Sequence, residues 1–163
     1  FHSCVSSSVL GSGVLTLEYE YALLLVDCTP NLLIISLNGL KISDGYILPT
    51  SPDLLSTYGI QQIIKRVKAF SYNIGQAITP LGIIVSKFRA QSTVHQNTLR
   101  DLKKNPKWPS IFTTIVPEAN KFAESAQFLP VNTLKQKYGS GDQGNFDTYL
   151  RLTNEVVGAM ELV

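Results

Sequence analysis

Short, continuous apolar runs are the feature that most constrains the fold of this chain. They do not alternate with polar residues, so each one predicts a strand that is buried on both faces, as in the centre of a parallel sheet. Segments with apolar residues at helical spacing lie between them. This alternation predicts an α/β protein, with a doubly wound, mostly parallel sheet flanked by helices. The predicted strands are Ala22–Val26, Tyr46–Leu48, Gly82–Val85 and Phe112–Val116.

Three longer segments are predicted to be helices. Pro52–Phe70 follows Ser51 and Asp53, which are candidate caps for its first turn. Gln91–Lys104 is polar and basic, and Phe146–Leu162 carries apolar residues on one stripe. In sheets of this kind, ligands bind outside the carboxyl ends of the strands, so the residues that follow each strand are the candidate site.

Composition limits the class of protein. The chain has 163 residues, 44% of them hydrophobic and 16% charged, which predicts one domain over residues 1–163 and excludes a disordered tail. No apolar run approaches the roughly 20 residues of a membrane helix. Cys4 and Cys28 are interpreted as free thiols in a reducing cytoplasm. His2 and His95 have no carboxylate or cysteine at ligand spacing, so no metal site is predicted from them.

Positive charge is concentrated in the middle of the chain. Residues 63–107 contain nine basic residues and one acidic residue, Asp101, whereas residues 1–62 contain one basic residue and five acidic ones. A block of one sign favours a polyanionic partner, although lysines also solubilise exposed helices, and charge alone does not separate the two. Trp108 follows the block and could stack on a base or pack at a strand entrance.

Asp27 ends the first predicted strand and is followed by a turn that contains Pro30. A carboxylate at the tip of a buried parallel strand can hold Mg²⁺ or its water in a nucleotide site. Asp27 could equally cap the predicted helix Leu32–Leu40. Spacing leaves both interpretations open.

Several segments, in the same order, resemble the ParA/MinD family of deviant Walker partition ATPases. The Asp-Cys-Thr-Pro that begins at Asp27 resembles the turn after the Walker B strand, and the resemblance covers roughly residues 17–163. The other matching segments are Leu37–Leu40, Asp44–Pro49, Leu55–Gly59, Gly82–Phe88, Thr114–Ala126 and Leu129–Val131. The resemblance implies a P-loop NTPase-like fold and ATP with Mg²⁺ as ligands.

The resemblance also implies a role for particular residues. Asp27 matches the acidic residue that holds a Mg²⁺-bound water near the γ-phosphate and is the implied catalytic residue. The implied nucleotide-binding positions are Pro49, Ser86, Lys87 and Pro117. Lys121 matches a basic residue of the family that contacts DNA or the second subunit, and it could also be a solvated helix position. Lys135, Lys137 and Arg151 fall near the family's DNA-contacting surface, where lysines and arginines bind phosphates without reading sequence.

A function follows from the resemblance as an expectation. ATP binding would drive dimerisation, the dimer would bind DNA non-specifically, and a partner protein would stimulate hydrolysis and release. The implied location is the cytoplasm, on the nucleoid. A MinD-like membrane-binding role is disfavoured because the chain ends in the acidic and apolar residues 160–163 rather than in a basic amphipathic helix.

One family signature is missing from the sequence. A Gly-rich P-loop with two lysines should lie near the start, but Gly11–Val14 has no Gly-Lys-Thr, so the phosphates have no cradle. We therefore expect the chain to be the C-terminal part of a ParA-like ATPase domain that binds no nucleotide alone. The alternative is a non-catalytic relative that binds DNA or a partner.

Overall fold

The structure is a computed structural model that describes residues 2–6, 23–28, 34–118, 133–139 and 145–160. Its sheet has four strands: β1 (His2–Ser6), β2 (Leu24–Cys28), β3 (Gly45–Thr50) and β4 (Thr79–Val85). Their order across the sheet is β2-β1-β3-β4. Strands β3 and β4 are parallel, and β1 is antiparallel to both of its neighbours. Strands β2, β3 and β4 therefore run in one direction, which confirms the mostly parallel sheet, and β1 is the exception.

The predicted strand Phe112–Val116 lies beside β4 but is not a continuous strand, so this prediction was wrong in detail. Single parallel bridges join Ile83 to Ile111 and Phe88 to Pro117. The backbone N–H of Phe112 donates to Ile83 O at 3.0 Å, and that of Val116 donates to Val85 O at 2.9 Å. The chain thus advances four residues where β4 advances two, and the extra residues leave the ladder.

Five described helices connect or follow these strands. They are α1 (Ile34–Lys41), α2 (Leu54–Ile74), α3 (Thr93–Lys104), α4 (Leu134–Tyr138) and α5 (Phe146–Met160). Buried side chains of α1, α2 and α3 pack in one core with Tyr46, Leu48, Ile83 and Val85. Val156 of α5 packs in a second core with Ile47, Leu81 and Phe112, which point to the opposite face. The sheet is therefore covered on both faces, as the fold prediction required.

Helix α2 shows how local sequence sets the bounds of an element. The Asp53 carboxylate accepts a hydrogen bond from the Ser56 N–H at 2.8 Å, which confirms one of the two candidate caps. The helix continues past the predicted end at Phe70 to Ile74. It ends there because Gly75 adopts a left-handed conformation with φ 67°, and its N–H donates to the carbonyls of Ser71 and Tyr72.

Candidate functional site

A pocket of about 330 Å³ lies at the carboxyl ends of β3 and β4 and extends along the first three turns of α2. The residues that follow the two strands form one side of it, and helix residues form the other. Its lining residues are Leu48, Pro49, Thr50, Ser51, Ser56, Gly59, Ile60, Ile63, Ser86 and Lys87. Three of the four sequence-predicted nucleotide-binding residues, Pro49, Ser86 and Lys87, therefore lie together in this pocket.

Ser86 joins the two strand ends. Its backbone N–H donates to Thr50 O at 2.8 Å, and its hydroxyl donates to the same carbonyl at 3.3 Å. Lys87 then adopts φ 54°, and among the described residues it is the only non-glycine residue with a positive φ. A left-handed conformation costs an L-residue roughly 1–2 kcal/mol, so the turn that begins at Ser86 holds Lys87 in a strained backbone at the edge of the pocket.

Asp53 stabilises the helical wall of the pocket. Its carboxylate accepts from both the N–H and the hydroxyl of Ser56, each at 2.8 Å. Partial burial acts to raise the pKa of Asp53, but the hydrogen bonds from Ser56 and from the Leu55 backbone outweigh it and leave the pKa below its usual value. Asp53 is thus ionised at neutral pH. Its carboxylate caps α2 and fixes the position of Ser56 in the pocket lining.

Pro117, the fourth predicted nucleotide-binding residue, lies beside the turn after β4 rather than in the pocket lining. It forms a parallel bridge with Phe88. Next to it, an exposed ion pair joins Arg89 to Glu118, and the hydrogen bond from Arg89 lowers the pKa of Glu118. The backbone N–H of Arg89 donates to His95 Nδ1 at 3.1 Å. These contacts hold the 86–89 turn against the segment that contains Pro117.

Asp27 lies elsewhere on the sheet. It is exposed on β2, opposite Ser3 of β1, and β1 separates this strand from β3. The next residue, Cys28, is buried, and its Sγ lies close to Gly39 of α1. The structure therefore does not bring Asp27 into the pocket with Pro49, Ser86 and Lys87. In the part of the chain that the structure describes, no group of three His, Cys, Asp or Glu side chains could hold a metal ion.

The predicted DNA-binding residues lie in the C-terminal part of the chain. Lys135 and Lys137 are exposed on α4, and their Nζ atoms lie 5.8 Å from the ring centroids of Phe146 and Tyr138 respectively. Arg151 is exposed on α5. Lys121 and the Gly11–Val14 segment lie outside the described residues. The structure thus leaves three of the four predicted cationic side chains accessible to a polyanion.

Sequence reasoning missed the contact that anchors α5. The Glu155 carboxylate accepts hydrogen bonds from the N–H and hydroxyl of Thr113, at 2.6 and 2.7 Å, and from the N–H of Thr114 at 3.0 Å. Partial burial acts to raise the pKa of Glu155, but hydrogen bonds from Thr114 and Thr113 lower it below its usual value. The partners are more than 40 residues apart, so no local pattern could have indicated them.

The pocket chemistry suits binding rather than acid–base catalysis. Its described lining offers four hydroxyl groups and one ammonium group, and no carboxylate. Hydroxyls and a lysine are suitable hydrogen-bonding partners for a nucleoside or an anionic group. The described residues contain no glycine-rich loop that could bind phosphates. The pocket therefore suits only the nucleoside part of ATP. When bound, Mg²⁺–ATP would supply the reactive phosphoryl group.

Comparison with known proteins identifies a matching family profile and several relatives. The sequence profile of a family described as an AAA domain matches residues 3–79. The chromosome partitioning protein ParA of Caulobacter vibrioides is 18% identical over 137 residues, which cover 84% of this chain and 49% of that protein. The chain is thus similar to ParA-type partitioning proteins. The AAA domain match also indicates a P-loop NTPase-like fold.

Other relatives point the same way. The chromosome-partitioning ATPase Soj of Treponema pallidum is 22% identical to this chain over 138 residues, 84% of this chain and 52% of Soj. An uncharacterized protein of Pseudomonas putida is 23% identical over 153 residues, 94% of this chain and 56% of that protein. The chain thus spans about half the length of the curated relatives it matches. No described helix is both long and apolar enough to cross a membrane.

Proposed function

We propose that this protein is a partition ATPase that dimerises with ATP and binds DNA non-specifically, so as to segregate or position DNA or other cargo. The observation that carries the proposal is the pocket at the carboxyl ends of β3 and β4, where Pro49, Ser86 and Lys87 lie together. This edge of a parallel sheet is where nucleotides bind in doubly wound folds. ParA and Soj, which resemble the chain, are a partitioning protein and a partitioning ATPase.

The charge distribution supports a DNA partner. Nine basic residues lie between residues 63 and 107, and Lys135, Lys137 and Arg151 are exposed farther along the chain. Point charges of this kind bind phosphates without reading sequence, as a protein that moves along DNA requires. In this proposal the protein works in the cytoplasm on the nucleoid, and a partner protein stimulates hydrolysis. It does not act on a membrane.

In this proposal, the loop that binds the phosphates lies outside the described residues. Residues 1–163 would then form one domain, the C-terminal part of a ParA-like ATPase domain, and Asp27 would act on the Mg²⁺-bound water once that loop is present. The second candidate is a non-catalytic relative that binds DNA or a partner. The absence of Gly-Lys-Thr at Gly11–Val14 favours this candidate.

Nucleotide binding separates the two candidates. The native full-length protein would be titrated with a fluorescent ATP analogue and Mg²⁺, after its intact mass has been measured. We expect binding, with affinity about tenfold weaker for Lys87→Ala because a charged partner is lost. Lys68→Ala is the matched control, since Lys68 is exposed on α2 outside the pocket lining. Absence of binding by the full-length protein would leave the non-catalytic candidate.

DNA binding is tested by its dependence on salt. The full-length protein would be titrated with duplexes of unrelated sequence at several salt concentrations. Replacing Lys135 and Lys137 by alanine should weaken binding equally for all duplexes and reduce the slope of log K against log salt by about 2. An unchanged slope would exclude α4 from the DNA contact.

A further inference from the structure

The first two turns of α2 expose large apolar side chains. Leu54, Leu55 and Tyr58 are 67%, 84% and 69% exposed, although the same helix buries Ile60, Ile64 and Val67 in the core. Single exposed apolar residues are common, but three within five residues of one helix form a patch. Such a patch on a folded domain usually marks a contact with another molecule.

A groove of about 260 Å³ adjoins this patch, between α2 and α3. Leu54, Tyr58 and Gln61 form one wall, Leu102 and Asn105 form the other, and Trp108 also lines it. Leu102 is 2% exposed and belongs to the main core, so the base of the groove is apolar and well packed. Its volume is below that of a typical small-molecule site and suits one or two apolar side chains.

Exposed lysines border the groove on both helices. Lys65 and Lys68 follow Gln61 at helical spacing on α2, and Lys103 and Lys104 end α3. All four are exposed, and none of them forms an ion pair with another described residue. Asp101 is the acidic residue in the groove lining, and its Oδ1 lies 4.0 Å from Nε of Arg100. The surface thus combines an apolar slot with a basic border.

We propose that the α2–α3 groove, with this basic border, docks an amphipathic acidic segment of a partner protein. One or two apolar side chains of the segment would enter the slot beside Tyr58 and Trp108, and its carboxylates would face the lysines. Charge complementarity selects an acidic partner. The aliphatic Leu54 and Leu55 favour a protein over a nucleic acid, because phosphates gain nothing from such contacts. The inference depends on neither nucleotide nor DNA binding. It assigns four of the nine basic residues between 63 and 107 to a protein partner, which leaves the others and the C-terminal lysines and arginine for DNA.

Trp108 provides the readout, because it is the only tryptophan of the 163-residue chain. The full-length protein, with any tryptophan outside this chain replaced by phenylalanine, would be titrated with a synthetic helical peptide that carries leucines on one face and glutamates on the other. We expect Trp108 emission to shift to the blue and to saturate. Tyr58→Ala should weaken binding about tenfold, because an aromatic anchor at an interface centre carries much of the affinity.

Further variants test whether binding depends on the charge of the lysines and on position along α2. Reversal of Lys65 and Lys68 to glutamate should abolish binding of the acidic peptide, and added salt should weaken binding by the unaltered protein. Tyr72→Ala should change nothing, since Tyr72 is 87% exposed on the same helix but lies about 21 Å along its axis from Tyr58. All these positions are exposed, so the variants should fold, which thermal unfolding would verify.

Three results would overturn the proposal. A lysine-faced version of the peptide could bind as tightly as the acidic one, which would remove the role of charge. Duplex or single-stranded DNA could shift Trp108 emission where the peptide does not, which would make the groove a nucleic-acid site. Trp108 could also be shielded from acrylamide quenching in the full-length protein before any peptide is added, which would mean that another segment of the same protein covers the groove.

Discussion

Gly82 of β4 marks the closest approach between the sheet and the segment beside it. A Cβ placed on Gly82 would lie 2.7 Å from Cε2 of Phe112 and 3.1 Å from the carbonyl oxygen of Ser110. Phe112 is buried in the core that α5 shares with the sheet, so it cannot easily move away. The absence of a side chain at this position lets the segment 110–117 pack directly on β4.

Gly82→Ala should therefore destabilise the protein by about 1–3 kcal/mol, as expected for overpacking in a filled core. Urea unfolding followed by circular dichroism measures the change. Gly158→Ala is the matched control, because a Cβ there meets nothing within 4 Å and Gly158 lies within helix α5. Alanine at Gly158 should stabilise the helix by about 0.5–1 kcal/mol. Equal effects of the two changes would contradict the packing argument.

At the scale of elements, α5 is attached to the sheet by a carboxylate as well as by apolar contacts. Glu155 accepts hydrogen bonds from Thr113 and Thr114, which lie in the irregular segment beside β4. The irregularity that prevents a regular fifth strand thus provides the donors that fix the helix.

Glu155→Gln should cost about 1–3 kcal/mol at neutral pH, because an amide replaces a charged acceptor and brings its own donors toward N–H groups. The folded-state pKa of Glu155 is lowered, so its stabilisation is present above the ordinary glutamate value of 4.5 and is lost as pH falls through the folded pKa. The difference between the variant and the unaltered protein should shrink below about pH 4.5, as measured by urea unfolding at a series of pH values.

Glu118→Gln is the control for this effect. Glu118 is also ion-paired and has a lowered pKa, but its side chain and that of Arg89 are 40% and 64% exposed. An exposed ion pair contributes little to stability, because water and salt screen it. If Glu118→Gln destabilised the protein as much as Glu155→Gln, the contact of Glu155 with Thr113 and Thr114 would contribute no more to stability than an exposed ion pair.

The Asp53 cap gives a second prediction at this scale. Asp53→Ala should destabilise the protein by about 0.5–2 kcal/mol through loss of the Ser56 hydrogen bonds, whereas Asp53→Asn should cost less because asparagine also caps. The pKa of Asp53 is lowered, so its contribution is present above the ordinary value of 3.8 and fades as pH falls through the folded pKa. Thermal unfolding at pH 7 and pH 3 tests both statements.

The elements that sequence predicted are those with local signals. The apolar run in β3 and the Asp53 cap with its periodic helix placed β3 and α2 correctly, because these signals lie within the elements. Strand β1 has a polar sequence, His-Ser-Cys-Val-Ser, and only its pairing with β2 and β3 makes it a strand. For the pocket, the position of Pro49, Ser86 and Lys87 after predicted strands, together with the family resemblance, predicted them as site residues, whereas the strained backbone at Lys87 required the structure.

At the scale of the whole molecule, β1 joins β2 to the rest of the sheet. Cys4 pairs with Val26 on one side and with Tyr46 on the other. Cys4→Pro should destabilise the protein by at least about 2 kcal/mol, since proline removes a ladder donor from a strand with two neighbours. Cys4→Ser keeps the N–H and is the control. Urea unfolding measures both, and similar midpoints would argue against β1 as an inner strand.

The place of β1 has a consequence for the order in which the chain can fold. Strand β3, helix α2 and strand β4 form one continuous parallel unit over residues 45–85, whereas β1 needs partners 40 or more residues away on its β3 side. The β1–β2 pair and the β3–β4 pair each close a shorter loop than the β1–β3 pair, so we expect these two units to form first and β1 to pair with β3 afterwards. During synthesis, the β1–β2 pair would then wait for the 45–85 unit, because β2 joins the rest of the described sheet only through β1.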